Sequence, residues 1–118
     1  MTTKEIINLD YREEKSRVII QKVLKQIKPL SKYSDENDIP LDAIEKAINV
    51  MCKKYLINIR EIVPDTFANH KCIIWRAVLI NDKNFKAIDN VYGISLYEIF
   101  AKIAIRLFAE IKNGAKKR

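Results

Sequence analysis

The stretch from Ser95 to Asn113 constrains this chain more than any other, because it carries both a start and a stop signal for a helix. Ser95 can cap the open amides, and Glu98, three residues on, can reach back to complete a capping box. Ile94 and Ile99 are spaced for a hydrophobic staple across the cap. Gly114 supplies a residue free to turn left-handed just past the end. Between these ends Leu96, Phe100, Ile103, Ala104, Leu107, Phe108 and Ile111 recur at helical spacing. Glu98, Lys102, Arg106 and Glu110 form an i, i+4 ladder on the opposite side, which reads as a solvated face. An apolar face this broad has to be covered by a sheet or by several helices.

Upstream of that helix the hydrophobic period changes from helical to alternating. Ile57 to Ile62 alternates over a β-branched run that Pro64 stops. Asp65 to His70 reads as a loop. Lys71 to Ile80 is apolar on both faces, with Ile73, Trp75, Ala77 and Leu79 on one and Cys72, Ile74, Val78 and Ile80 on the other. Such a strand is normally central and covered on both sides. Asn81 to Asn84 has turn composition, and Phe85 to Tyr92 returns as a third strand that Gly93 ends.

The first half of the chain is helical. Residues 1–9 read as a flexible lead-in. Asp10, followed by Glu13, reads as the cap of a helix that ends near Lys28, because Pro29 cannot continue it. Its stripe is Ile20, Val23, Leu24 and Ile27, extended upstream by Tyr11 and Val18. A polar connector, Ser31 to Asp38, leads to Pro40 in the first turn of a second helix running to about Tyr55. Leu41, Ile44, Ile48, Met51, Cys52 and Tyr55 form its buried stripe. Lys116, Lys117 and Arg118 read as a disordered basic tail.

These elements give an α+β fold: a three-stranded antiparallel meander packed by two helices (α-β-β-β-α), with an extra N-terminal helix. The second face of the sheet needs cover as well. Either the N-terminal helix crosses to it, making a three-layer α/β/α arrangement, or a second copy of the chain does.

At 118 residues and 48% hydrophobic, the chain fits one domain, 1–118, with one core. The net charge of +7 is uneven in sequence: 8 basic and 4 acidic residues in 1–34, 4 and 7 in 35–70, and 10 and 4 in 71–118. No apolar run approaches the roughly 20 residues that span a bilayer, and the first residues lack the pattern of a secretory signal. Cys52 and Cys72, far apart and without metal-ligand spacing, read as reduced thiols, so a cytoplasmic setting in a bacterium or phage-infected cell is expected.

The chemistry-bearing residues are few. A Cys–His pair would have to be built from His70 with Cys52 or Cys72, and a nucleophilic cysteine needs a low-pKa, partly exposed thiol. Two glycines leave no phosphate-cradling loop, and one His with two Cys cannot make a zinc site without several carboxylates. No enzyme, cofactor or metal is therefore expected. Trp75 beside Arg76 offers a stacking platform in form, but an apolar strand makes it a core residue. A small accessory protein acting by protein–protein contact or self-assembly is the expectation, as a homodimer, with Ile74, Val78 and Ile105 as self-association residues. The alternative is a nucleic-acid-binding module using the basic N-terminal helix and the C-terminal tail, with Lys15, Arg17, Lys22, Lys25 and Lys28 as contacts.

From Leu41 to Asn113 the order of elements resembles that of double-stranded RNA-binding domains. The positions matching that family's phosphate-gripping residues at the last helix are Leu96, Tyr97 and Glu98, none of them basic. His70, which would match the family's loop histidine, lacks a preceding Gly-Pro. The resemblance thus implies the order of the fold but not the family's duplex binding. The strand Trp75-Arg76-Ala77 and the helix start Gly93-Ile94-Ser95 are also similar to those of small α+β proteins of phages and mobile elements.

Overall fold

A computed structural model of the chain describes residues 1–34, 36–65 and 74–118. Among the described residues, four α-helices and three strands follow in the order α1 (Thr3–Ile7), α2 (Glu14–Leu24), α3 (Leu41–Lys54), β1 (Ile57–Pro64), β2 (Trp75–Asn81), β3 (Ala87–Gly93) and α4 (Leu96–Lys112). The strands form one antiparallel sheet in the order β1-β2-β3, so the fold is the expected α+β meander. β1 begins and ends where its alternation and Pro64 place it. A bulge between Ile59 and Glu61 leaves Arg60 out of the pairing. The start of the middle strand expected at Lys71, with Cys72 and Ile73, lies outside the described residues, as do His70 and Asp35.

Strand alternation sends Ala77, Leu79 and Val91 into the core, where they meet Ile44, Ile48 and Met51 of α3 and Ile99, Ile103 and Leu107 of α4. α3 lies against β1 and α4 against β2 and β3, so both cover the same sheet face. α4 starts at its predicted cap: Ser95 Oγ accepts the Glu98 amide at 3.1 Å. The other half of the capping box is not made. The Glu98 carboxylate accepts the Ile94 amide instead, at 3.0 Å. Of the two residues of the expected staple, Ile94 is exposed and Ile99 is buried.

The helical ladder on α4 is the largest departure from the sequence reading. Glu98 and Lys102 are buried and Arg106 nearly so, because the N-terminal helices pack over that side of α4. Ile105, expected on an open flank, is buried with them at 2% exposure. Residues 1–9 are thus no loose lead-in. Thr2 and Glu5 make a complete capping box for α1, and Ile6 and Ile7 join the core. Asp10 does not cap α2 but forms an exposed turn with Arg12, and α2 begins at Glu14. Turns carry the chain from Leu24 to a single 3₁₀ turn at Lys28–Leu30 that contains Pro29.

The three-layer alternative is corrected accordingly. α1 and α2 stack on α4, on the helical side of the sheet, and do not cross to the other face. The basic tail is corrected too: Lys117 bridges to Tyr55, the Lys116 carbonyl accepts the Leu56 amide at 2.9 Å, and the Arg118 amide donates to Lys54 O at 3.0 Å.

Candidate interaction surfaces

Two buried polar clusters fix the outer helices on α4. In the first, Gln21 of α2 donates through Nε2 to the Tyr97 hydroxyl at 2.8 Å and accepts the Ile39 amide through Oε1 at 3.1 Å. Tyr97 closes the ring by donating to Ile39 O at 2.5 Å. Tyr11 stacks at a tilt on Tyr97, ring centroids 5.9 Å apart. Burial pushes the Tyr97 phenol up to about 12. The second cluster is Lys102, whose Nζ donates to Glu98 Oε2 at 2.6 Å and to Leu9 O at 2.9 Å. Gly93 packs so close that a Cβ there would sit 3.0 Å from the Ile99 amide nitrogen and 3.2 Å from Glu98 Cγ. Both clusters satisfy their own donors and acceptors, which is what buried polar groups require. They hold the fold together and leave no open chemistry.

The outer face of the sheet is built from three cross-strand rows: Asn58–Ile80–Ala87, Glu61–Val78–Asn90 and Val63–Arg76–Tyr92. Of the expected self-association residues, Val78 lies here but is 2% exposed, Ile74 at the head of β2 is half-buried, and Ile105 is inside the helical layer. The bare apolar face that motivated a dimer is therefore absent at the sheet centre. Apolar surface is found instead at one corner, where β3 runs into α4. Tyr92, Ile94 and Leu96 are 46%, 41% and 44% exposed within five residues of chain. Beside Tyr92, the Arg76 Nε is buried and finds no hydrogen-bond partner among the described residues, while its Nη2 stays 3.9 Å from Glu61.

The basic residues expected on the N-terminal helix do not form one open face, and Lys25 and Lys28 lie beyond the end of α2. Lys15, Lys22 and Lys28 are exposed, but Lys25 is half-buried. Arg17 turns back, its Nη1 donating to Tyr11 O at 3.1 Å and Arg12 O at 2.9 Å. The cleft of about 220 Å³ along α2 has Arg17, Lys22 and Lys25 facing Glu14 and Asp38, so its charge is mixed.

A second basic region forms at the opposite end of the sheet from the Tyr92 corner. Arg118 Nε donates to the Cys52 and Tyr55 carbonyls at 3.0 and 3.1 Å, and its guanidinium pairs with Asp82 of the β2–β3 turn. A cation suits the C-terminal end of α3, where carbonyls lack helical partners. The Asp82 amide donates to Leu56 O at 3.0 Å. The tail, the end of α3 and the β2–β3 turn are thereby locked together. A cleft of about 510 Å³ opens between Asn81, Lys83 and Asn84 on the turn and Gly114, Ala115 and Lys116 after α4. Sequence reasoning pointed to the basic tail but not to the end of α3 or the β2–β3 turn beside it, because these parts are distant in the chain.

Cys52 is half-buried, and burial pushes its thiol up, away from the reactive thiolate. Its possible partner His70, and Cys72, lie outside the described residues. Among the described residues no group of three His, Cys, Asp or Glu side chains could hold a metal ion, and no helix is long and apolar enough to cross a membrane. Set against family models, curated proteins and solved structures, the chain gives no match, so its function has to be read from its own geometry.

Proposed function

We propose that the protein is a small accessory protein that works by protein–protein contact, and that it self-associates through the β3–α4 corner. The observation that carries this reading is the run of three exposed large apolar side chains, Tyr92, Ile94 and Leu96, at the head of an otherwise buried helix. Single exposed apolar residues are ordinary, but a cluster of them marks a contact surface. A second copy fits the corner better than an unrelated partner, for two reasons. A two-fold axis lets one patch serve both subunits. Arg76 and Glu61 lie side by side on the outer face, so the same axis can set the arginine of one copy against the glutamate of the other.

The edges of the sheet favour the same side. β1 is guarded by the Arg60 bulge and by Pro64, both of which discourage strand pairing. β3 from Ala87 to Gly93 has neither proline nor lysine. Sedimentation velocity at tens of micromolar tests the proposal. A species at twice the 13.8 kDa chain mass is expected, reverting to one chain when Ile94→Glu and Leu96→Glu are combined. A single 13.8 kDa species for the unmodified protein overturns self-association.

A further inference from the structure

We infer that the end of the molecule formed by the β2–β3 turn, the end of α3 and the residues after α4 is a binding surface for single-stranded nucleic acid. The argument begins with where the charge is. Residues 52–58, 81–86 and 112–118 meet at this pole, and among these twenty residues eight are Lys or Arg and one, Asp82, is acidic. The whole chain has 22 basic and 15 acidic residues, so the remainder carries 14 of each. The entire net charge of +7 therefore resides at one end. Asp82 is itself paired with Arg118 and does little to offset the field of its neighbours.

Shape and chemistry then narrow the ligand. Lys83 and Lys116 stand on opposite sides of the cleft between the turn and the chain after α4, and Lys53 and Arg118 line a neighbouring one with Asn49 and Asn58. Lys54, Lys86 and Lys117 are exposed around them. A polyanion threaded between two walls meets lysines on both sides, which a flat bilayer surface cannot do. Phe85, at the tip of the turn, is 70% exposed and is held at φ 59°, a left-handed conformation that bulky residues rarely adopt. Its amide is fixed to Asn81 O at 2.8 Å. An aromatic ring presented this way between Lys83 and Lys86 can stack on a base while the lysines hold phosphates. Stacking needs an unpaired base, so the strand is single.

Fluorescence anisotropy with labelled single-stranded RNA and DNA of mixed sequence, about 15 nucleotides long, tests the inference across a salt series from about 50 to 300 mM. Binding is expected at low salt, weakening steeply as salt rises, with a log–log slope of about −2 to −3 if three or four phosphates are held. Lys83→Glu with Lys116→Glu should weaken it by at least about tenfold, and Phe85→Ala by about fivefold or more. Lys22→Glu with Lys25→Glu at the end of α2 should change it by less than about twofold, and circular dichroism establishes that every variant is folded. The inference is overturned by no binding at the lowest salt, or by loss that follows the α2 variant and not the pole variant. It is also overturned if vesicles of phosphatidylserine capture the protein while the oligonucleotides do not. These readouts are independent of oligomeric state, so they stand or fall apart from self-association.

Discussion

The Tyr97 hydroxyl donates to Ile39 O and accepts from Gln21 Nε2, so ionising it would delete one bond and set a charge against a carbonyl oxygen. Burial raises its pKa from about 10 to about 12. Below pH 10 both folded and unfolded chains keep the phenol protonated, and its full contribution to stability is present. Between about pH 10 and 12 the unfolded chain ionises first, so stability falls as pH rises through that window. Replacing Tyr97 by Phe leaves Gln21 and the Ile39 carbonyl each short of a partner. It should cost about 1–3 kcal/mol at neutral pH, read by urea denaturation. It should also flatten the loss of stability above pH 10. An unchanged alkaline limb in Tyr97→Phe would mean that another group sets it. Nothing in the sequence distinguished this tyrosine from a surface residue of the first helical turn. The partner that makes it important, Gln21, lies 76 residues away in the chain, beyond the reach of any local signal.

Two charged residues four apart on α4 behave in this fold as a buried clasp. Glu98 and Lys102 are each 5% exposed in their side chains, and they join the β3–α4 connection, the helix and the segment after α1. Removing one partner of a buried pair strands the other, at about 3–5 kcal/mol, whereas replacing both with apolar groups of similar size can be neutral. Lys102→Met alone should therefore be strongly destabilising, and adding Glu98→Leu should cost less than its own single change, although the double variant still leaves the Ile94 amide and the Leu9 carbonyl without these partners. A double-mutant cycle by denaturant titration measures this coupling, and strictly additive costs would count against a shared buried pair. The elements themselves were legible because their signals are local: the period switch at Ile57, Pro64 at the strand end and the Ser95 cap all fell where the sequence put them. The face of α4 was misread because a helical wheel shows which residues align, not what else in the chain will cover them. The covering piece was hard to see, since α1 is a five-residue helix offering two apolar side chains, Ile6 and Ile7, to the core.

At the scale of the whole molecule the two candidate surfaces lie at opposite ends of the sheet, an apolar corner at Gly93 and a basic pole at the β2–β3 turn. Strands of seven residues separate them by about 20 Å, so one partner can occupy each without displacing the other. The apolar corner was not readable from sequence order, and of the basic pole only the tail was. The charge imbalance was visible along the chain and was assigned to the first helix and the C-terminal tail, with every named contact residue placed on the helix. Yet its lysines are offset by Glu14 and Asp38, while Lys53, Lys54, Lys83 and Lys116 come together only when the tail docks on α3. This polarity can be tested without any ligand. Lys53→Glu with Lys54→Glu, and Lys15→Glu with Lys22→Glu, each lower the net charge of +7 by four units at exposed helical positions. If charge were spread evenly, the two variants would leave a cation-exchange column together. A polarised molecule binds the matrix by its basic end, so the Lys53 and Lys54 variant should elute at clearly lower salt. The Lys15 and Lys22 variant should stay close to the unmodified protein, because screening over about 10 Å at 0.1 M salt confines each charge to its own end of the molecule. Coincident elution of the two variants would show that the field is not concentrated at the pole.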